Sequence, residues 1–242
     1  MRHIFAFLFI VVATRAFSNS ENQVGVNKNQ MFKHKFVTNK MCPYAQKVWI
    51  ALEVLDIPYS LTEVSLYGAN GKPSWFLKLN PRGTVPVLLN EDTGEVYPDS
   101  DLILDYLNRV TSESTLKNIE SWRDIINKRL IPIGKHAVLN GSTKSIQELK
   151  DVLFDMESLI NIKHKMGQEN YETVNDKSCA TWLSGGKEPN IADCTAFPFV
   201  WRLQEEFQLI GSDYELLNDW LQTCSNTQSF QKTIQASWWW WW

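Results

Sequence analysis

Nothing in this chain of 242 residues concentrates charge: 24 basic and 27 acidic residues leave a formal net charge of -3, with no long block of one sign. That excludes a nucleic-acid groove and a polybasic membrane patch, and points to a small ligand. Cysteine is scarce too. Four thiols, Cys42, Cys179, Cys194 and Cys224, stand at irregular spacing. They supply no disulfide framework, and with four scattered histidines they make no zinc-ligand pattern, so no metal is expected. Also missing is an apolar run of the about 20 residues that a bilayer span needs. What is present is 44% hydrophobic and 21% charged residues, enough apolar side chain to fill one large or two ordinary globular domains.

The opening "MRHIFAFLFIVVATRAFSNS" has a basic start at Arg2, an apolar run from Ile4 to Ala13 and a small-residue site at Thr14–Ala16. This is the build of a secretory signal peptide over residues 1–16. Residues 17–32 then read as an unstructured leader or linker. With Phe17 first, it resembles the transit segment of the two-part plastid leaders of algae with complex plastids. The expected route is the secretory pathway and onward to a plastid, or the cytoplasm if the leader is a gene-model error. After leader removal no stable membrane span is expected. At the far end, residues 236–242 form a low-complexity tail of five tryptophans after Ser237, to which no role is assigned.

The chemistry concentrates in "NKMCPYAQKVWIALEVL", residues 39–55. Lys35–Thr38 is a short strand candidate. From Pro43 onward Val48, Ala51, Leu52 and Leu55 recur at helical spacing, and proline suits the first helical position because its missing N–H is no loss there. Cys42 therefore stands at or beside the N-cap, where free amides and the positive end of the helix dipole favour a thiolate. Lowering a thiol pKa from about 8.5 to about 5 requires roughly 4.8 kcal/mol of preferential stabilisation. The dipole supplies at most about 2 kcal/mol, so direct amide contacts or a nearby cation must supply the rest. Ala45 occupies the place of the second cysteine in a C-x-x-C pair, so a small thiol must resolve any mixed disulfide. The residues leave one rival reading, Cys42 as a small buried hydrophobe; Cys179, Cys194 and Cys224 lack the helix-start context and read as structural.

Ile57–Leu66 is a second strand candidate. A Gly/Asn loop, a short helix, the strand Val85–Leu89, a turn at Glu91–Gly94, another strand and a third helix follow. The order βαβ then αββα is a small α/β sandwich, and Pro86 must stand at a strand start. After Val110 strand signals stop. Helix candidates span Leu116–Leu130 and the stripe Ile146, Leu149, Val152, Leu153, Met156, Leu159, Ile160. A further helix starts at "NIADC", with Asn190 as N-cap and Asp193 at the third helical position. The polar stretch between Gly167 and Gly186 reads as a loop over or beside a second-substrate site.

Taken together, "CPYA", "GKPSWFLKLNPRGTVPVL", "PDSDLILDYL" and "PNIADCTAFPFVWRL" resemble the glutathione transferase superfamily, and within it the cysteine-dependent lambda, omega and dehydroascorbate-reductase classes. The likeness runs from about His34 to Cys224. It implies an α/β N-terminal thioredoxin-like domain (33–110) that binds glutathione, followed by an all-α helical domain (113–235), as monomer or homodimer. It also implies that Cys42 forms the mixed disulfide with glutathione and that Pro86 is the cis proline leaving the Val85 backbone to pair with the tripeptide. Asp99 and Ser100 would hold its γ-glutamyl end, and Lys72 would reach a carboxylate. Taken singly, Ser100 reads as the cap of the following helix, Asp99 as a first-turn acid and Lys72 as a solvated loop residue. A cap whose free amides also bind a carboxylate is compatible with both readings.

The implied function is a cysteine-type glutathione transferase working as thioltransferase, dehydroascorbate reductase or deglutathionylase. Glutathione would be the cosubstrate, and a small oxidised or glutathionylated molecule the partner. Two alternatives stay open, a non-catalytic carrier of apolar small molecules on the same fold and a glutathione-conjugating transferase.

Overall fold

The computed structural model describes residues 34–65, 71–111, 119–168, 182–184 and 188–235. All of them belong to the unit Met31–Trp242; the signal peptide, the leader and the tryptophan tail expected from the sequence lie outside the described residues.

Strand β1 (His34–Thr38) carries Phe36 and Val37 into the core and lies between parallel β2 (Tyr59–Glu63) and antiparallel β3 (Val87–Asn90). With β4 (Val96–Tyr97) beside β3, the sheet order is β2-β1-β3-β4. Parallel neighbours require a crossover, and helix α1 (Pro43–Val54) supplies it. Unlike a surface helix, α1 is buried on nearly every face from Pro43 to Leu52 because the later helices Ser100–Val110, Ile191–Phe207 and Gln228–Gln231 all pack against it. Helix α2 (Ser74–Leu79) precedes β3, and the hairpin between β3 and β4 is closed by Asn90, whose Oδ1 accepts from the Asp92 and Thr93 amides. Helix α3 (Ser100–Val110) packs back on the sheet, and its Tyr106 hydroxyl meets His34 Nε2 at 2.9 Å and Asn90 Nδ2 at 3.0 Å.

The second layer is helical throughout the described residues. The expected helix Leu116–Leu130 instead comprises α4 (Ile119–Ile125) and a π-helical turn Ile126–Leu130, and it runs on into α5 (Ile131–Asn140). Pro132 accounts for the widened turn: it has no N–H for the preceding turn and its ring crowds the carbonyl four residues back, so Ile131 N–H reaches Ile126 O instead. Gly141, at φ +57, ends α5 in the left-handed conformation that a side chain resists. Then come α6 (Thr143–Gln168), α7 (Ile191–Phe207), α8 (Glu215–Asn226) and α9 (Gln228–Gln231).

The expected capping box opens α7. Asn190 Oδ1 accepts from Ala192 N, and the fully buried Asp193 carboxylate accepts from Asn190 N, Leu183 N and Trp220 Nε1 at 2.8–2.9 Å. It joins α7 to α8 and to the segment before α7. Cys194 and Cys224 are buried and not in a disulfide, while Cys179 and most of the expected loop 167–186 lie outside the described residues. No helix among the described residues is long and apolar enough to cross a membrane.

Candidate active site

The chain leaves β1 through a turn that Asn39 builds: its carbonyl accepts from Cys42 N, its Oδ1 from Met41 N, and its Nδ2 donates to Val64 O. Cys42 follows as the N-cap of α1, with Pro43 at the first helical position and the Cys42 carbonyl accepting from Gln46 N at 2.9 Å. The side chain is 7% exposed. Tyr44 and Ala45 amides face the sulfur without closing a regular cap hydrogen bond to it.

Those surroundings correct the expected depressed pKa. Burial pushes the Cys42 thiol up and outweighs the Ala45 and Tyr44 amides and the charges of Arg202 and Lys47, all of which pull down. The helix end acts in the expected direction, but desolvation wins.

Val85 and Pro86 are joined by a cis peptide immediately before β3. Because Val37 pairs with Val87, this peptide lies beside the chain that leaves β1 for Cys42. Among the described residues neither backbone group of Val85 enters a backbone hydrogen bond. The loop leading there is held by Asn80, whose Nδ2 donates to Thr84 O at 2.8 Å. Lys72 lays its side chain against Gly83: a Cβ on that glycine, at φ +63, would stand 2.8 Å from Lys72 Cδ and 3.0 Å from Nζ.

At the start of α3 the roles of two residues differ from the single-residue reading. Asp99, not Ser100, is the N-cap, its carboxylate accepting from the Asp101 and Leu102 amides at 2.9 and 3.2 Å. Ser100 is the first helical residue, buried, with its hydroxyl 3.4 Å from Lys47 Nζ. Leu88 pairs with Tyr97, so α3 begins at the same end of the sheet where β1 finishes. The fold thus brings Cys42, Val85, Pro86, Asp99 and Ser100 to one end of the sheet, with the Lys72 side chain against Gly83, two residues before Val85. A hollow of about 500 Å³ lined by Tyr97, Pro98, Leu102 and Arg109 lies outside this group and contains none of these residues.

Around that end of the sheet lie polar residues that sequence reasoning did not single out. Lys47, 1% exposed, is paired with Asp101 at 2.6 Å, and Asn127 donates to the second Asp101 oxygen at 2.9 Å. Burial holds the Lys47 amine down. Burial pushes the Asp101 carboxyl up, but the Lys47 charge and hydrogen bonds more than offset it, leaving Asp101 below its usual range. Gln46 bridges the layers, its amide donating to Thr233 Oγ1 at 3.0 Å and its carbonyl accepting from Arg202. The sequence signal for Arg202 was its place as a lone cation in the apolar run "FPFVWRL".

Residues 41–110 match the family model described as Glutathione S-transferase, N-terminal domain. This stretch is a glutathione transferase N-terminal domain. The transferase domain and the helices after it resemble several relatives. Probable glutathione S-transferase DHAR1, cytosolic, of Oryza sativa subsp. japonica is 45% identical over 62 residues, 26% of this chain and 27% of its own length. Glutathione S-transferase omega-1 of Mus musculus is 26% identical over 168 residues, 68% of this chain and 65% of its own. The match therefore spans about a quarter of the first relative and just under two thirds of the second. Glutathione transferase Omega 3C from Trametes versicolor superposes with a TM-score of 0.64 at 21% identity, covering 85% of this chain and 91% of that one. The thioredoxin-like sheet followed by helices is thus the glutathione transferase fold.

Proposed function

We propose that this chain is a glutathione-dependent thiol transferase or reductase in which Cys42 is the single nucleophile. The carrying observation is the placement of Cys42 at the N-cap of α1, beside the cis Val85–Pro86 peptide, with Ala45 where a resolving cysteine would stand. The likeness to transferases named DHAR and omega supports the same reading.

The Cys42 thiolate attacks the glutathionyl sulfur of a mixed disulfide, forming Cys42–S–SG and releasing the substrate thiolate, which takes a proton. The thiolate of a second glutathione attacks the glutathionyl sulfur of that adduct. Oxidised glutathione leaves, and Cys42 regains its electron pair. With dehydroascorbate as oxidant, one molecule takes two electrons and two protons from two glutathiones, giving ascorbate and oxidised glutathione. In this scheme Val85 offers backbone hydrogen bonds to the cysteinyl part of the tripeptide. Asp99 and Ser100 hold its γ-glutamyl end, and Lys72 meets a carboxylate. The expected partners are glutathione and a small oxidised or glutathionylated molecule.

A carrier of apolar small molecules on the same scaffold has one observation in its favour: burial pushes the Cys42 thiol up, and a carrier needs no readily ionised thiol. A panel of hydroxyethyl disulfide, dehydroascorbate and a chloronitrobenzene electrophile, run on the full chain and on Cys42→Ser, separates the readings. Turnover of either oxidant that disappears in C42S supports the reductase. Activity with the electrophile alone, raised by serine, contradicts it, and no turnover of any of the three leaves the carrier. The reductive cycle also needs a reducing compartment, so delivery to a plastid rather than secretion belongs to the proposal. Accumulation of a tagged full chain outside the cell would contradict that part.

A further inference from the structure

Arg202 lies in the middle of α7 and is 1% exposed, yet no carboxylate pairs with it among the described residues. Its hydrogen-bond partners are neutral. Nη1 donates to Gln46 Oε1 and to Pro198 O, Nη2 donates to Met41 O at 3.2 Å, and Nε has no partner. The face of Trp201 lies 5.6 Å away, and it too is neutral. An unpaired buried cation is unfavourable, and folded chains ordinarily answer it with an acid.

The two contacts to α1 and its approach bracket one residue. Met41 precedes Cys42, and Gln46 is four residues after it, on the turn that the Cys42 carbonyl closes. The guanidinium therefore spans the junction at which the sulfur stands. Among the described residues, Cys42 is the acidic group that acts on Arg202, and Arg202 acts on Cys42 ahead of Lys47. Lys47 faces the same thiol from α1, but Asp101 on α3 already answers its charge. The remaining titratable neighbour is the Tyr44 phenol, which burial and then the Cys42 and Asp101 charges push up, so that it stays neutral.

We propose that Arg202, reaching from the helical layer, is the counter-ion of the Cys42 thiolate, so that α7 governs the ionisation of a nucleophile carried by α1. The inference rests on the reading of Cys42 as the nucleophile. It gives an electrostatic reason for joining the helical layer to the thioredoxin-like one: the nucleophile's charge is balanced across the boundary between them. Arg202 touches no substrate in this account and acts as a positioning residue, holding Met41 and Gln46 while its charge favours the anion.

The test is the rate of iodoacetamide alkylation at Cys42 against pH, read by peptide mapping on the full chain, its Arg202→Met variant and its Arg202→Lys variant. Removing the opposite charge that acts on the sulfur raises the Cys42 midpoint in R202M by about one to two units. At pH 7 the alkylation rate then falls about three- to tenfold, because the smaller thiolate fraction is partly offset by greater nucleophilicity, with a Brønsted slope near 0.5. R202K keeps the charge while losing the forked contacts to Met41 and Gln46, and its midpoint stays within about half a unit of the parent. A folded R202M with the parent's midpoint overturns the proposal, and so does an R202K displaced by a full unit. If R202M fails to fold, Arg202→Gln, which removes the charge but keeps an amide for the Met41 and Gln46 contacts, is read in its place, and a parent midpoint there overturns the proposal.

Failure of the functional reading has a different signature. An Arg202-dependent midpoint at a Cys42 that takes up no glutathione leaves the counter-ion intact and removes the reductase. A Cys42 that takes up glutathione with a midpoint indifferent to Arg202 does the reverse.

Discussion

Replacing Asp193 by alanine should cost the fold far more than a surface change, and the hydrogen bonds say how much. Its Oδ1 receives Leu183 N at 2.9 Å and Trp220 Nε1 at 2.8 Å, and its Oδ2 receives Asn190 N at 2.8 Å. All three donors are in the interior, and alanine leaves each of them unpaired. A buried donor without a partner costs about 1–3 kcal/mol, so with some entry of water the total is about 3–5 kcal/mol at pH 7. In urea a chain of this size has a slope of roughly 2–3 kcal/mol per molar, so the midpoint should fall by about 1.5 M. Asparagine retains an Oδ1 acceptor for Leu183 and Trp220 but turns an amide toward Asn190 N–H, so it should lie between parent and alanine. Equilibrium unfolding followed by tryptophan fluorescence reads both. A loss below about 1 kcal/mol in D193A would refute the claim that this carboxylate joins α7, α8 and the segment before α7.

Burial raises the same carboxyl to about 6, above its ordinary 3.8. A proton held more tightly in the fold gives stability that is full below 3.8 and lost as pH rises through about 6. The advantage of the parent over D193A should therefore narrow by on the order of 1 kcal/mol between pH 5 and 7; an advantage that widens contradicts the sign. Gly83→Ala forces a side chain onto φ +63 and against Lys72 Cδ, so it should lose about 1–2 kcal/mol in thermal or urea unfolding. A neutral result there would mean the loop yields freely. Lys47→Met removes the ammonium beside Ser100, and glutathione KM should rise about fivefold, the equivalent of one net hydrogen bond, with kcat changed less. An unchanged KM would detach Ser100 from the binding of the tripeptide.

Local signals were legible in the sequence and distant ones were not. Cys42–Pro43 and Asn190–Asp193 could be read because a helix start is decided within four residues, and both starts stand where the pattern put them. Pro86 announced itself by interrupting an apolar run. Asp99 and Ser100 are both capping residue types, and only the extended backbone of Asp99 decides between them. Pro132 left a trace in the sequence, yet the widened turn before it depends on the helix continuing on both sides. Lys47 looks like an ordinary surface cation until α3 closes over it, and Arg202, though conspicuous in its apolar run, shows its partners only once α7 packs on α1. Burial of the Cys42 sulfur is likewise a property of the assembled layers, and for that reason the expected lowering of its pKa by the helix end, amides and a cation left out the larger opposing effect of desolvation.

The account stands most directly on where glutathione attaches. Full-length protein exposed to oxidised glutathione, digested without reductant and mapped by mass spectrometry, should carry the glutathionyl group on Cys42 and lose it on addition of free glutathione. An unmodified Cys42, with the adduct on Cys179, Cys194 or Cys224, would contradict it.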